Sequence, residues 1–109
     1  MKQTIEARNY SDANGNPAGG FVEGRGISIR WQEGPLGRDG ERREPNGAFV
    51  EGVIAAAINR MEFYQSAQFA CEENAEALAH LRSALSVLEM RTARREALGI
   101  EGTHSEESQ

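Results

Sequence analysis

The chain has little of what an enzyme or a membrane protein needs. It holds one cysteine and two histidines among 109 residues. Cys71 has no second cysteine for an internal disulfide, and so sparse a set gives no metal-ligand spacing, so neither a metal site nor a cofactor is expected. Cys71 and His80 stand nine residues apart on one predicted helix, on opposite faces, and cannot form a thiolate–imidazole pair within one chain. Gly24, Gly26 and Gly34 lead neither into Gly-Lys-Ser/Thr nor into a helix, so no phosphate loop is present. Glu72 and Glu73 open a helix, where carboxylates complement the dipole. Catalysis is not expected.

Apolar bulk is also scarce. Aromatic residues make up 6% of the chain and apolar residues 39%. A single domain of this length with so thin a core is marginally stable alone, so self-association is expected. The longest uncharged apolar run, VIAAAI at residues 53–58, is far too short for a bilayer. The opening MKQTIE lacks the apolar stretch of a signal peptide, and with one cysteine this points to a reducing cytoplasm. Positive charge is in deficit too: a formal net charge of −5 argues against bulk binding to DNA or RNA. The arginines are nonetheless clustered, at Arg38, Arg42 and Arg43 and again at Arg91, Arg94 and Arg95, whereas Glu101, Glu106 and Glu107 crowd the tail. Local basic sites on an acidic chain suit a small anion better than a polymer.

What is present reads as an α+β chain: a small N-terminal antiparallel sheet followed by a long antiparallel two-helix hairpin. The expected divisions are a β region with loops over residues 1–47, the hairpin over 48–99 and a tail over 100–109, within one domain. Residues 1–20 are rich in turn formers and read as loop, with at best a short strand near residues 4–7. Ile27, Ile29 and Trp31 alternate with Ser28, Arg30 and Gln32, the pattern of a half-buried strand. Residues 34–40 form a loop set by Pro35 and its glycines. After a turn at 45–47, Asn46 is a candidate N-cap for a helix over about 48–64, whose apolar face is Phe49, Val50, Val53, Ile54, Ala57, Ile58 and Met61. A short connection then leads to a helix over about 70–98, with Leu78, Leu81, Leu85 and Leu88 as its seam and Gly99 as its stop. Residues 103–109 read as a disordered tail. The tetrapeptide FVEG occurs at 21–24 and 49–52 in different contexts and is read as chance.

Two groups of residues carry possible binding chemistry. Arg91 and Arg95 lie one helical turn apart on one face, so their guanidinium forks can grip two adjacent phosphates; the ordinary reading is that basic residues offset the dipole at a helix end. Tyr64, beside Phe63, is either a packed aromatic or a stacking platform for an adenine ring. Asn74 is either a polar residue of a helix start or a hydrogen-bonding partner for a base or ribose edge.

Four segments carry a resemblance: GRGISIRWQEGPLG at 24–37, NGAFVE at 46–51, FACEEN at 69–74 and RTARREALGIEGTH at 91–104. In order and spacing they resemble the phage anti-Thoeris sponge proteins of the first type, whose helical hairpin is related to that of the anti-CBASS sponges. Thoeris is a bacterial defence in which a TIR-domain enzyme converts NAD into a cyclic ADP-ribose isomer that activates a killer effector. The resemblance implies tight capture of that signal, glycocyclic ADP-ribose, without cleavage, in the cytoplasm of the infected bacterial host. It implies dimers that build hexamers, some of which also hold CBASS cyclic di- or trinucleotides. It places a stacking aromatic at Tyr64, with Phe63 as neighbour and rival, a polar contact at Asn74, and phosphate-binding arginines at Arg91 and Arg95. A loop arginine is implied as well, matched best by Arg38, with Arg42 and Arg43 as rivals. Arg25 and Gly26 are the candidates for a second, cyclic-oligonucleotide pocket. Two other classes stand beside this reading: a small helical nucleic-acid-binding regulator, which a gel shift would reveal, and a structural adaptor that docks another protein through its apolar faces.

Overall fold

A computed structural model describes residues 4–105. The fold is α+β: three strands, β1 (Ile5–Ser11), β2 (Pro17–Gly24) and β3 (Ile27–Trp31), precede two helices, α1 (Val50–Gln65) and α2 (Glu72–Ala97). The chain divides into two compact units. One holds the strands, the loop that runs to Phe49 and the segment from Leu98 onward; the other is the helical hairpin, Val50–Ala97.

In the first unit the strands form an antiparallel meander in the order β1-β2-β3. The period-two reading of β3 holds in its middle and fails at its ends: Ile29 and Trp31 are half-buried and Ser28 and Arg30 exposed, but Ile27 is exposed and Gln32 half-buried. The reading of residues 1–20 as loop does not. β1 extends to Ser11, and β2 starts at Pro17, inside the stretch rich in turn residues. Every residue of β1 is exposed, so no alternation of burial marked it. Proline opens β2, a strand position where its missing N–H is harmless. Gly20 is buried with φ of 147°, and a Cβ there would run into the Arg8 carbonyl, so a residue that usually signals a turn is what lets β1 approach β2. Asp12 organises the β1–β2 connection: its Oδ1 accepts from the Asn14 and Asn16 amides at 2.8 and 3.0 Å. The Asn16 amide, foremost, holds the Asp12 carboxyl below its ordinary value, with smaller help from Asn14 and the charge of His104.

Asn46 is not a helix cap. Its Oδ1 accepts from the Glu33 amide (2.8 Å), its Nδ2 donates to the Glu33 carbonyl (3.0 Å), and its own amide donates to Gln32 Oε1 (2.8 Å). These bonds staple the loop back to the end of β3, where Ala48 also bridges Trp31 in parallel fashion. A side-chain amide that fixes a loop and one that caps a helix share the same local sequence, so the pattern alone does not separate them. Helix α1 accordingly begins at Val50, and Phe49 and Val50 stay 41% and 51% exposed rather than joining its apolar face.

In the second unit the predicted seam is the one observed. Ile58 and Leu78 are buried, flanked by half-buried Val53, Ile54, Ala57 and Met61 on α1 and Leu81, Leu85 and Leu88 on α2. Arg82 and Glu62 pair across the helices at 3.3 Å. Helix α2 starts at Glu72, after Cys71 rather than at residue 70: the Cys71 carbonyl accepts from Ala75, and its sulfur accepts from the Asn74 amide at 3.4 Å. Gly99, with φ of 74°, ends the helical run as predicted. Two buried side chains are few for a helical pair, and Val87 and Met90 on α2 are 64% and 66% exposed. No helix among the described residues is long and apolar enough to cross a membrane.

Candidate functional site

The hairpin gathers one group of candidate residues at its tip. Tyr64 and Phe63 sit at the end of α1, half-buried and 57% exposed, with ring centroids 6.3 Å apart and planes tilted by 52°. Sequence reasoning missed Arg60. Its guanidinium carbon lies 4.9 Å from the Tyr64 ring centroid and 5.1 Å from that of Phe63, so an arginine of the same chain covers aromatic faces that a base would use. The signal was there: Arg60 precedes the two rings by three and four residues, the spacing of one helical face. Asn74, in the first turn of α2, donates from Nδ2 to the Phe69 carbonyl at 3.0 Å, and the Cys71 amide donates to Gln65 Oε1 at the same distance. The turn is thus tied down on both sides, and Phe69 within it is 64% exposed.

Arg91 and Arg95 lie toward the other end of α2, exposed and half-buried respectively. Four residues of helix put them about 6 Å apart along the axis, one turn apart on one face. Seventeen residues separate Asn74 from Arg91, about 25 Å of helix at about 1.5 Å per residue. One hairpin therefore does not bring its aromatic tip and its arginine pair together. Cys71 caps α2, while His80 faces Glu76 at 3.7 Å on an exposed surface.

The first unit holds the remaining candidates. Arg25 and Gly26 form the two-residue turn between Gly24 and Ile27, and Gly26 supplies the positive φ (76°) this turn needs. Both are exposed. Arg38 donates from Nη1 to the Glu101 carbonyl at 3.0 Å, and its rival Arg42 pairs with the Glu101 carboxylate at 2.6 Å. The other rival, Arg43, donates to the Pro35 carbonyl at 2.7 Å and serves the loop's own backbone. Beside the sheet lies an open hollow of about 720 Å³, lined among others by Tyr10, Phe21, Ser28, Arg30, Glu33 and Asn46. Strand register sets Arg8, Phe21 and Arg30 in one row across the sheet, which the loop reading of residues 1–20 concealed. Among the described residues no group of three or more His, Cys, Asp or Glu side chains is placed to hold a metal ion.

Residues 23–93 match the family described as Acb2/Tad1, hairpin domain. The chain belongs to that family. Over 81 residues it is 41% identical to Thoeris anti-defense 1 of Bacillus phage SBSphiJ7, a match that covers 74% of this chain and 54% of that relative. The chain spans about half the length of the relative it matches. The resemblance read from the four sequence segments is thereby borne out. The match takes in Tyr64, Asn74 and Arg91 and stops short of Arg95.

Proposed function

We propose that the protein is a phage anti-defence protein that captures the cyclic ADP-ribose-type signal of Thoeris immunity, glycocyclic ADP-ribose, and holds it without degrading it. The observation that supports this reading is the placement of the candidate residues along one hairpin: Tyr64, Phe63 and Asn74 at its tip, and Arg91 and Arg95 on α2 about 25 Å away. A cyclic ADP-ribose isomer needs a surface for its base and cations for its pyrophosphate within a few ångströms. A second hairpin laid antiparallel supplies the arginines of one chain to the tip of the other, so the binding unit is a homodimer at least, with a hexamer as the larger assembly. The exposed Val87 and Met90, and a core of two buried side chains, support such an assembly.

The mechanism is capture. The adenine ring stacks on Tyr64, Asn74 holds a base or ribose edge, and the arginines pair with the pyrophosphate. Arg60, now over the Tyr64 ring, either yields to the base or stacks on its far side. Slow release then lowers the free signal, and no bond in the ligand changes. Arg38 is assigned to the same ligand. Arg25 and Gly26 are assigned to a second pocket for CBASS cyclic di- or trinucleotides. The protein acts in the cytoplasm of the infected host and binds no DNA.

Calorimetric titration with glycocyclic ADP-ribose tests the reading. Arg91→Ala is expected to lose about 1.5–3 kcal/mol, roughly ten- to a hundredfold in affinity, while the helical content stays unchanged. Ligand recovered by heat denaturation is expected intact by mass spectrometry. Ligand that is never retained, or that returns cleaved, would overturn the proposal.

A further inference from the structure

We infer that Arg38 and Arg42 form a phosphate-binding pair that the chain keeps filled with its own Glu101 carboxylate, so that a phosphate-bearing ligand enters there by displacing the segment after α2. Glu101 Oε2 lies 2.6 Å from Arg42 Nη1 and 3.8 Å from Arg38 Nη1. One carboxylate oxygen therefore faces two guanidinium groups, and Arg38 adds a hydrogen bond to the Glu101 carbonyl at 3.0 Å. Guanidinium forks donate to carboxylate and phosphate oxygens with the same geometry, and a pyrophosphate brings at least two negative charges against the carboxylate's one. A carboxylate between two arginines is thus a stand-in for the anion that the pair suits better.

The way the segment is held makes displacement feasible. Its backbone docks where the Gly37 amide donates to the Gly102 carbonyl at 2.7 Å. Both residues are glycines with positive φ, 84° and 79°. A Cβ on Gly102 would stand 2.5 Å from the Gly37 oxygen and 2.8 Å from Arg42 Nη1, so the approach depends on the missing side chain. The ion pair itself is partly solvated, with Arg38, Arg42 and Glu101 side chains 33%, 42% and 21% exposed. Partly exposed pairs contribute little each, which suits a contact that must open. Arg43 takes no part, since it is turned to the Pro35 carbonyl.

This inference deepens the capture reading by naming what occupies one of its arginines at rest, and it is tested with a different probe. Inorganic pyrophosphate is titrated calorimetrically into the full chain, into Glu101→Gln, and into Glu6→Gln as a control that removes one negative charge from β1. Glu101→Gln is expected to bind pyrophosphate about three- to tenfold more tightly than the unaltered chain, and Glu6→Gln to leave affinity unchanged. Replacing Arg38 and Arg42 together by alanine is expected to abolish the gain. Equal affinities for the two Gln variants, or a gain that survives loss of both arginines, overturns the inference. Should Glu101→Gln fail to fold, the unaltered chain decides: its Arg42 Nε–H and Gly102 amide resonances are expected to shift together and saturably with pyrophosphate, and unmoved resonances overturn the inference. A chain that binds pyrophosphate in this way but never retains the cyclic signal would sink the capture reading and leave the displaceable carboxylate standing.

Discussion

In the hairpin, an apolar residue every third or fourth position determines which faces meet. In the sheet unit, the apolar residues determine much less, and main-chain groups and short polar side chains set the fold. The hairpin seam of Ile58, Leu78, Leu81, Leu85 and Leu88 needs only helical geometry to be read. The sheet depends on Gly20 lying against the Arg8 carbonyl, on the Asp12 carboxylate gathering two amides, and on Asn46 returning the loop to Glu33. The difference teaches that side-chain spacing carries information over neighbouring turns, while backbone docking joins partners far apart in the chain.

The sharpest test of that contrast is Leu78→Ala. It removes one of two buried side chains, and the hairpin is expected to lose about 2–3 kcal/mol, read from thermal melting of the helical circular dichroism signal. A loss under about 1 kcal/mol would mean that the seam is not what holds the helices. Its counterpart in the sheet is Gly20→Ala, which brings a methyl group against the Arg8 carbonyl in a backbone conformation alanine resists. About 2 kcal/mol is expected to go, reported by the fluorescence of Trp31, the sole tryptophan. If this methyl is tolerated, close strand approach is not the sheet's constraint.

Smaller effects refine the picture. Arg82→Ala should cost the hairpin only about 0.5 kcal/mol, because its pair with Glu62 is exposed on both sides; a loss several times larger would give the hairpin an electrostatic as well as an apolar basis. The smallest effect concerns pH. Asp12 titrates below its ordinary value when folded, so its contribution is present above the ordinary carboxylate range and is lost as pH falls through the lowered value. The Asn14 and Asn16 amide shifts should follow that acid-side titration and cease to do so in Asp12→Asn. Amides that titrate instead at the ordinary value would remove Asp12 from the sheet's framework.

These contrasts explain what was legible in advance. The α+β class, strand β3, both helices and the Gly99 stop followed from periodicity and from one glycine with a defined backbone role. Strands β1 and β2 did not, because exposed charged residues and a Pro-Ala-Gly-Gly run carry the composition of a turn while pairing through their backbones. Asn46 was misread because its partners, Gln32 and Glu33, lie fourteen and thirteen residues back. The candidate site shows the same split. That Tyr64 and Phe63 end α1 and that Arg91 and Arg95 share a stretch of α2 follows from helical spacing. That Glu101 occupies Arg38 and Arg42 follows from nothing local, since about sixty residues intervene. Arg60 lay within reach of the same spacing argument that drew attention to Arg91 and Arg95.

The capping sulfur of Cys71 has a practical use. It is the chain's sole thiol, it is exposed, and it sits three residues before Asn74. A fluorophore coupled there would mark the hairpin tip at a single defined point, next to the side chain expected to meet the ligand. Coupling also turns the sulfur that accepts from the Asn74 amide into a bulkier thioether, a weak acceptor, so the label's own footprint should begin with faster hydrogen exchange at that amide and fade over the next turn of α2.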